Sequence, residues 1–211
     1  MKAVKYIITV GVIILVAYHS VYFKKLDEVK AVLSAKEFNA PAYAQKYWSD
    51  KLIPNLGKAI EITRLSALLL SDPTKTFDNY SHALGIGNLR YFLVRGRGQI
   101  ESVNEDDVTV LMEGDSSKRT IIIATEYIFG NAVRDATGAI NINEFENTMD
   151  FNNVSAEINK IIRERVLPPF KKQAHKGILI EFTGAIELNK EHLDLQNIEV
   201  LPVEIKLMNE R

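Results

Sequence analysis

The 211-residue sequence contains no cysteine. Disulfides, thiolate metal sites, cysteine nucleophiles and lipid attachment through a cysteine are therefore excluded within these residues. Neither sign of charge is in excess, since 26 Lys and Arg stand against 27 Asp and Glu. A balanced chain exerts no long-range attraction on a phosphate backbone, so we expect no nucleic-acid partner.

The patterns that usually mark an enzyme or a metal site are also absent. The four histidines, at positions 19, 82, 175 and 192, do not have the spacing of a metal-ligand pair. No Gly-x-Ser-x-Gly motif occurs, and the glycine-rich stretches at 85–90 and 96–98 are too short and wrongly placed for phosphate-binding loops. We therefore expect no metal, no cofactor and no catalytic residue.

One long hydrophobic run stands at the N-terminus. Lysines at positions 2 and 5 precede an apolar stretch from Tyr6 to Phe23, and two more lysines follow it. As a helix these 18 residues would reach about 27 Å, close to the ~30 Å hydrocarbon core of a bilayer. The bulky residues after the run differ from the small-x-small site of a cleaved signal peptide, which is the alternative. The sequence predicts an uncleaved transmembrane signal-anchor over residues 1–25.

The order of the segments, rather than the flanking charges, indicates on which side of the membrane the C-terminal domain lies. Lysines flank the hydrophobic run on both sides, so the positive-inside rule hardly discriminates. A short N-terminal tail before a large C-terminal domain is typical of a signal-anchor. We expect a single-pass protein of the bacterial inner membrane with its C-terminal domain in the periplasm.

Residues 26–88 have helical patterns and are predicted to form a stalk and a helical subdomain. The stretch 26–35 has apolar residues at helical spacing, so the membrane helix is expected to continue into it. Asn39 before Pro41, and Asp72 before Pro73, are typical pairs of a capping residue and a first-turn proline. The aromatic pair at 47–48 is interpreted as a core anchor, with a ligand platform as the alternative.

Residues 89–211 are predicted to form a β domain with one inserted helix. Five runs have the period of strands: "LRYFLVRGRGQIESV", "DVTVLMEG", "RTIIIATEYIF", "GILIEFTGAIEL" and "IEVLPVEIKL". The last run shifts its apolar phase beside Pro202, as a β-bulge would. An amphipathic helix at about 153–167 precedes the last two strands. The overall fold class is α+β, with a small antiparallel barrel of the oligonucleotide/oligosaccharide-binding (OB) type, and an antiparallel sandwich is the alternative.

The stretch "FGNAVRDATG", residues 129–138, joins the two groups of strands and places an arginine beside an aspartate. Arg134 could bind a carboxylate, a phosphate or vicinal hydroxyls, and Asp135 could accept from sugar hydroxyls. The alternative is a structural brace, in which Asp135 begins a turn and Arg134 pairs with Glu144 or Asp150. Adjacent residues of an extended segment point to opposite sides, which favours the brace.

The chain resembles an uncharacterised bacterial family of predicted periplasmic lipoproteins. The resemblance spans about residues 38–207, and its most distinctive part is the Gly-x-Ala-x-Arg-Asp-Ala-like loop at 130–136, followed by an acidic-aromatic segment at Glu144. It implies a periplasmic location and frequent occurrence beside sugar ABC transporter genes. The lipobox cysteine of the family is missing here, so the transmembrane helix is expected to serve as the anchor. Asn131, Arg134, Asp135 and Glu144 are the candidate ligand-binding residues.

Two hypotheses for the function follow. The first is a membrane-anchored extracytoplasmic accessory or binding module, with a transporter subunit or a small polar solute as its partner and a possible link to sugar or solute transport. The alternative is a periplasmic hydrolase that uses carboxylates such as Glu126, Asp135 or Glu144. The binding module is favoured because no residue set has the spacing of an acid–base pair.

Overall fold

The computed structural model describes residues 2–20, 25, 38–114 and 118–208. The chain divides into two compact units, Met1–Phe38 and Asn39–Arg211. The predicted stalk at 26–35 and the last residues of the apolar run, 21–23, lie outside the described residues.

The first unit contains one apolar helix, α1, which runs from Lys2 to Ser20. An 18-residue window of this helix has a mean hydropathy of 1.7, and none of the described residues in the window is buried. The helix is long and apolar enough to cross a membrane, although a signal sequence near the N-terminus has the same properties.

The second unit is built around a closed barrel of five strands. Two short strands, β1 and β2, pair with the first barrel strand, β3, and the chain order of all seven is β1 (Ile60–Glu61), β2 (Ser81–His82), β3 (Leu89–Val103), β4 (Asp107–Met112), β5 (Thr120–Ala124), β6 (Leu179–Asn189) and β7 (Glu199–Met208). The barrel order is β3-β4-β5-β7-β6, and β6 pairs again with β3 to close it.

The 15 residues of β3 make this closure possible. Its first part pairs with β6 and its last part pairs with β4, so one strand belongs to both sides of the barrel. The expected barrel is therefore confirmed, and the alternative of an antiparallel sandwich is not what forms. One barrel pairing, between β5 and β7, is parallel.

Two local features let the barrel curve. Gly98 and Gly184 lie where a Cβ atom would collide with the carbonyl oxygen of a neighbouring strand, from Leu111 and Leu201 respectively. The register of β7 on β6 shifts by one residue between Glu204 and Pro202, which is the bulge expected from the apolar phase change. Close backbone approach and a bulge together give the strong local bend that a small barrel needs.

The helical segments before the barrel in the second unit include α2 (Ala40–Tyr47), α3 (Ile62–Ser71) and α4 (Pro73–Tyr80). Helix α2 continues through a π-helical turn (Trp48–Leu52), a three-residue helix (Ile53–Asn55) and a 3₁₀ turn (Leu56–Lys58). The side chain of Asn39 accepts from the Ala42 backbone N–H at 2.9 Å and caps α2. The side chain of Asp72 accepts from the Lys75 N–H at 3.1 Å and caps α4. Both caps were expected from the sequence, because a side-chain oxygen there satisfies a free N–H group of the first turn.

Between β5 and β6 lie the helices α5 (Ala132–Asp135), α6 (Thr148–Ile161) and α7 (Leu167–Lys171). A 3₁₀ turn (Ile142–Glu144) precedes α6, and a π-helical turn (Ile162–Val166) joins α6 to α7. The helix expected at 153–167 therefore begins earlier, at Thr148, and is capped by Asn147, whose side chain accepts from the Asp150 N–H at 2.8 Å. Pro168 and Pro169 do not end the helical segment. They lie in the first turn of α7, where proline is tolerated because it has no backbone N–H group that would need a partner.

One hydrophobic cluster joins the helices to the barrel. It contains buried residues of α3 and α4, of all five barrel strands and of α7, among them Ile62, Leu65, Leu69, Phe77, Phe92, Val110, Ile123, Phe170, Ile186 and Val200. The rings of Phe77 and Phe92 meet edge to face with their centroids 5.3 Å apart. The helical segment before the barrel and the barrel itself therefore share a core.

Replacement of Gly184 by alanine tests the close backbone approach. We expect Gly184→Ala to lower the free energy of unfolding by about 1–3 kcal/mol, because the new methyl group meets backbone that cannot move freely. Gly57→Ala is the matched control, since a Cβ there has no atom within 4 Å. Urea denaturation of the two variants measures the difference. Equal stabilities would contradict the assignment of Gly184 to a point of tight strand packing.

Candidate functional site

The predicted site residues lie on the connection from β5 to α6, but this connection is helical where the sequence suggested an extended segment. Gly130 has a φ of 85°, which turns the chain into Asn131, and Ala132–Asp135 then form the short helix α5. Arg134 and Asp135 are consecutive residues of this helix, and both are buried. The two side chains therefore do not lie on opposite sides of an extended segment, and that expectation was wrong.

Arg134 and Asp135 bind each other through two hydrogen bonds. The Arg134 Nε atom donates to Asp135 Oδ1 at 2.6 Å, and Arg134 Nη2 donates to Asp135 Oδ2 at 2.9 Å. The guanidinium also stacks on Phe151, with its carbon 3.4 Å from the ring centroid, and donates to the Phe151 carbonyl at 3.2 Å. The expected pairing of Arg134 with Glu144 or Asp150 is wrong, because the neighbouring carboxylate already satisfies the guanidinium fork.

Helix α2 contacts the same connection from the other side. The buried Tyr47 hydroxyl donates to the Arg134 backbone carbonyl at 2.8 Å and lies 2.9 Å from the Thr137 hydroxyl. Burial raises the pKa of Tyr47 to about 12. Tyr47 is therefore a core anchor, as the sequence suggested, and it fixes the backbone that carries the Arg134–Asp135 pair.

Glu144 lies apart from this pair. The Tyr43 hydroxyl donates to Glu144 Oε2 at 2.6 Å, and burial together with this hydrogen bond raises the pKa of Tyr43 above its ordinary range. Arg134 and Asp135 are brought together by the structure, whereas Glu144 belongs to a separate contact between α2 and the turn before α6.

Helix α6 holds the first part of the connection in place. The Ser155 hydroxyl donates to Asn131 Oδ1 at 3.0 Å, and the Asn159 amide donates to the Gly130 carbonyl at 2.9 Å. The Arg163 guanidinium donates to the carbonyl of Ile128. These three side chains of one helical segment thus fix the backbone around Asn131.

Asn131 lines two clefts. The first, of about 350 Å³, is also lined by Arg134, Asp135, Phe151 and the loop at 83–89. The second cleft, of about 340 Å³, we call the aromatic cleft, and it is lined by Tyr127, Phe129, Gly130, Asn131, Ala132, Ala185, Glu187, Asn197, Glu199 and Leu201.

The aromatic cleft combines exposed rings with polar side chains. Tyr127 is 59% exposed and Phe129 is 68% exposed, and their ring centroids lie 6.4 Å apart. Glu187 near the end of β6 and Glu199 at the start of β7 contribute carboxylates to the same cleft. Partial burial, and after it the neighbouring Asp107 carboxylate, raise the pKa of Glu199. The cleft can therefore offer rings, amides and carboxylates to one small ligand.

Sequence reasoning found Asn131 but missed the rest of the aromatic cleft. One signal was available, because Tyr127 and Phe129 stand two residues apart after a strand and so can lie on one side of an extended segment. The carboxylates Glu187 and Glu199 come from strands that are close only in the folded chain, and no spacing in the sequence indicates that they meet.

The carboxylates proposed for a hydrolase do not form a group. Glu126 pairs with Lys171 at 3.0 Å, Asp135 pairs with Arg134, and Glu144 accepts from Tyr43. Among the residues that the structure describes, no cluster of three or more His, Cys, Asp or Glu side chains could hold a metal ion.

The buried Arg134–Asp135 ion pair predicts a large loss of stability when Arg134 is replaced. We expect Arg134→Ala to lower the free energy of unfolding by about 3–5 kcal/mol, because it leaves the Asp135 carboxylate buried without its partner. Arg95→Ala is the control, since the Arg95 side chain is 55% exposed and its contact with Glu61 is 3.7 Å long. An exposed pair of this kind contributes less than about 1 kcal/mol. Similar losses in urea denaturation of the two variants would contradict the role of the pair as a brace.

Tyr47 predicts a dependence of stability on pH. We expect Tyr47→Phe to cost about 1 kcal/mol near pH 8, since the hydroxyl then loses its hydrogen bonds. The stability that neutral Tyr47 contributes is present below the ordinary tyrosine pKa of about 10 and is lost as the pH rises towards the folded-state value. The difference between wild type and variant should therefore shrink by about pH 11. Urea denaturation at both pH values measures it, and a constant or growing difference would refute the assignment.

Comparisons with known proteins agree with the fold. No curated protein matches the chain significantly in sequence. A crystallised OB-fold protein from Thermotoga maritima MSB8 is 26% identical, with 82% of this chain and 100% of that chain covered and a TM-score of 0.72. The likeness confirms the OB-like barrel that the sequence predicted. The family described as predicted periplasmic lipoprotein (DUF2291) matches residues 11–206, so the chain belongs to this family of predicted periplasmic lipoproteins.

Proposed function

We propose that the protein is a membrane-anchored extracytoplasmic binding module that holds a small polar solute in the aromatic cleft. The observation that carries the proposal is the pair of exposed rings, Tyr127 and Phe129, at the edge of a cleft lined by two amides and two carboxylates. A concave site with aromatic walls and a few convergent polar groups is the usual form of a small-molecule site.

The size and the rigidity of the cleft support a small ligand. Its volume of about 340 Å³ is near the lower end of the ~300–1,000 Å³ range of ligand pockets. The backbone that carries Asn131 is fixed by side chains of α6, and the following helix is fixed by the Arg134–Asp135 pair. A site held in one geometry before binding loses little conformational freedom when a ligand enters.

The location and the partner belong to the same proposal. Helix α1 would remain in the inner membrane as a single-pass anchor and hold the barrel domain in the periplasm. The absence of cysteine from the 211 residues supports a helical rather than a cysteine-linked lipid anchor. The bound solute would be handed to a transporter subunit in the same membrane, since the resemblance suggests a link to solute transport.

A reporter fusion tests the location. Alkaline phosphatase fused to the C-terminus should be active in intact cells, and the full chain should stay in the membrane after an alkaline carbonate wash, because α1 is apolar along its length. A variant that lacks residues 1–25 is the control, and it should lose both properties. A mature chain that starts beyond residue 23, or an inactive fusion, would contradict the anchor.

A screen of small solutes tests the cleft. Monosaccharides, polyols, amino acids and amines are added to the full chain in detergent, and a solute at 100 times its Kd should raise the free energy of unfolding by about 2.7 kcal/mol. The double variant Tyr127→Ala/Phe129→Ala should lose this stabilisation, since both rings line the cleft. The control is Met149→Ala, because Met149 is also exposed but does not line the cleft. Stabilisation that survives in the double variant would reject this site.

Hydrolysis is a second candidate function, favoured by one observation. The pKa of Glu199 is raised in a cleft that also contains Glu187, and carboxylates with unequal surroundings can act as acid and base. If the cleft is catalytic, Glu199→Gln should abolish the cleavage of chromogenic glycosides or esters while the melting temperature stays unchanged. Equal rates in wild type and variant would leave binding as the only function of the cleft.

A further inference from the structure

We propose that the solute held in the aromatic cleft is an organic cation, a small carbon skeleton that carries an ammonium group. This inference rests on the proposed function, since it names the class of ligand for the same cleft. It follows from the charge of the lining, the placement of the two rings and the way in which charges elsewhere on the surface are neutralised.

The lining of the cleft has a single sign of charge. Among its described lining residues, Glu187 and Glu199 are acidic and none is basic. Neither carboxylate forms an ion pair with another described residue. Asp107 adds to the negative potential, because its charge contributes to the raised pKa of Glu199. An anion entering this cleft would meet repulsion, whereas a cation would be attracted.

Three other carboxylates around the barrel have partners of opposite charge. Glu113 pairs with Arg97 at 2.8 Å, Glu126 pairs with Lys171 at 3.0 Å, and Lys206 is 3.2 Å from Glu204. The cleft differs from these surfaces because its two acidic side chains have no such partner among the described residues. A cationic ligand would supply the charge that is missing there.

The two rings offer an accessible aromatic face to a cation. Tyr127 and Phe129 meet edge to face with their centroids 6.4 Å apart, and because both side chains are more than half exposed, a ring face stays open to an ammonium group at the cleft. The negative potential of an aromatic face attracts a cation within about 6 Å of the ring centroid. The amide groups of Asn131 and Asn197 can accept hydrogen bonds from the ligand's N–H or O–H groups.

A matched pair of probes tests the charge directly. Choline carries a quaternary ammonium group, and 3,3-dimethylbutan-1-ol has the same shape with a neutral carbon in its place. Each is titrated into the full chain in detergent, and backbone amide shifts of Gly130, Asn131 and Ala132 report binding in the cleft. We expect choline to bind about tenfold or more tightly than the alcohol at low salt, and added salt to weaken choline alone.

Variants of the carboxylates complete the test. Glu187→Gln and Glu199→Gln should each weaken choline binding about tenfold, because each removes one charge from the lining. Glu191→Gln is the control, since Glu191 is an exposed acidic residue that does not line the cleft. Unchanged melting temperatures of the variants show that they remain folded.

Each other result counts against the proposal. If the neutral alcohol or a neutral monosaccharide binds the cleft as tightly as choline, the cleft binds solutes without regard to charge. The inference is then wrong while the proposed function stands. If none of the monosaccharides, polyols, amino acids or amines shifts the amides of Gly130 to Ala132, both the inference and the proposed function are wrong. If choline binds equally well to both glutamine variants, the carboxylates do not recognise it and the inference is again wrong.

Discussion

The ion pair between Arg134 and Asp135 is the interaction on which the candidate site depends. Both side chains are almost completely buried, so the pair is screened little by water and must keep its two hydrogen bonds. Phe151 covers one face of the guanidinium, and Tyr47 holds the backbone carbonyl of Arg134. The connection between β5 and α6 is therefore part of the core rather than a free surface loop.

The fixed connection between β5 and α6 joins the helices and the barrel of the second unit at the aromatic cleft. Helix α2 contacts the connection through Tyr47, and α6 contacts it through Ser155 and Asn159. The barrel supplies the opposite wall through the ends of β6 and β7. The cleft lies where barrel and helices meet, and its shape depends on all of them. The hydrogen bonds from two helices hold this connection in one geometry.

The fold could be predicted from local patterns. Strand alternation, the caps at Asn39 and Asp72 and the phase change beside Pro202 are properties of neighbouring residues, and the structure keeps each of them. The parallel pairing of β5 with β7 could not be predicted from neighbouring residues, because it depends on closure of the whole sheet. The candidate site was harder to predict from the sequence than the fold. The choice of Asp135 as the partner of Arg134 required knowledge that the loop is helical. Glu187 and Glu199 line one cleft only because their strands, β6 and β7, pair in the folded chain.

Hydrogen exchange of the backbone amides of Asp135, Ala136 and Gly138 tests the central claim most directly. These N–H groups donate to the carbonyls of Asn131, Ala132 and Asp135 at 2.8–2.9 Å. If the buried ion pair fixes this connection, the three amides exchange as slowly as those of the barrel strands, through global unfolding. Exchange as fast as that of an exposed loop, with the barrel still protected, would contradict the account.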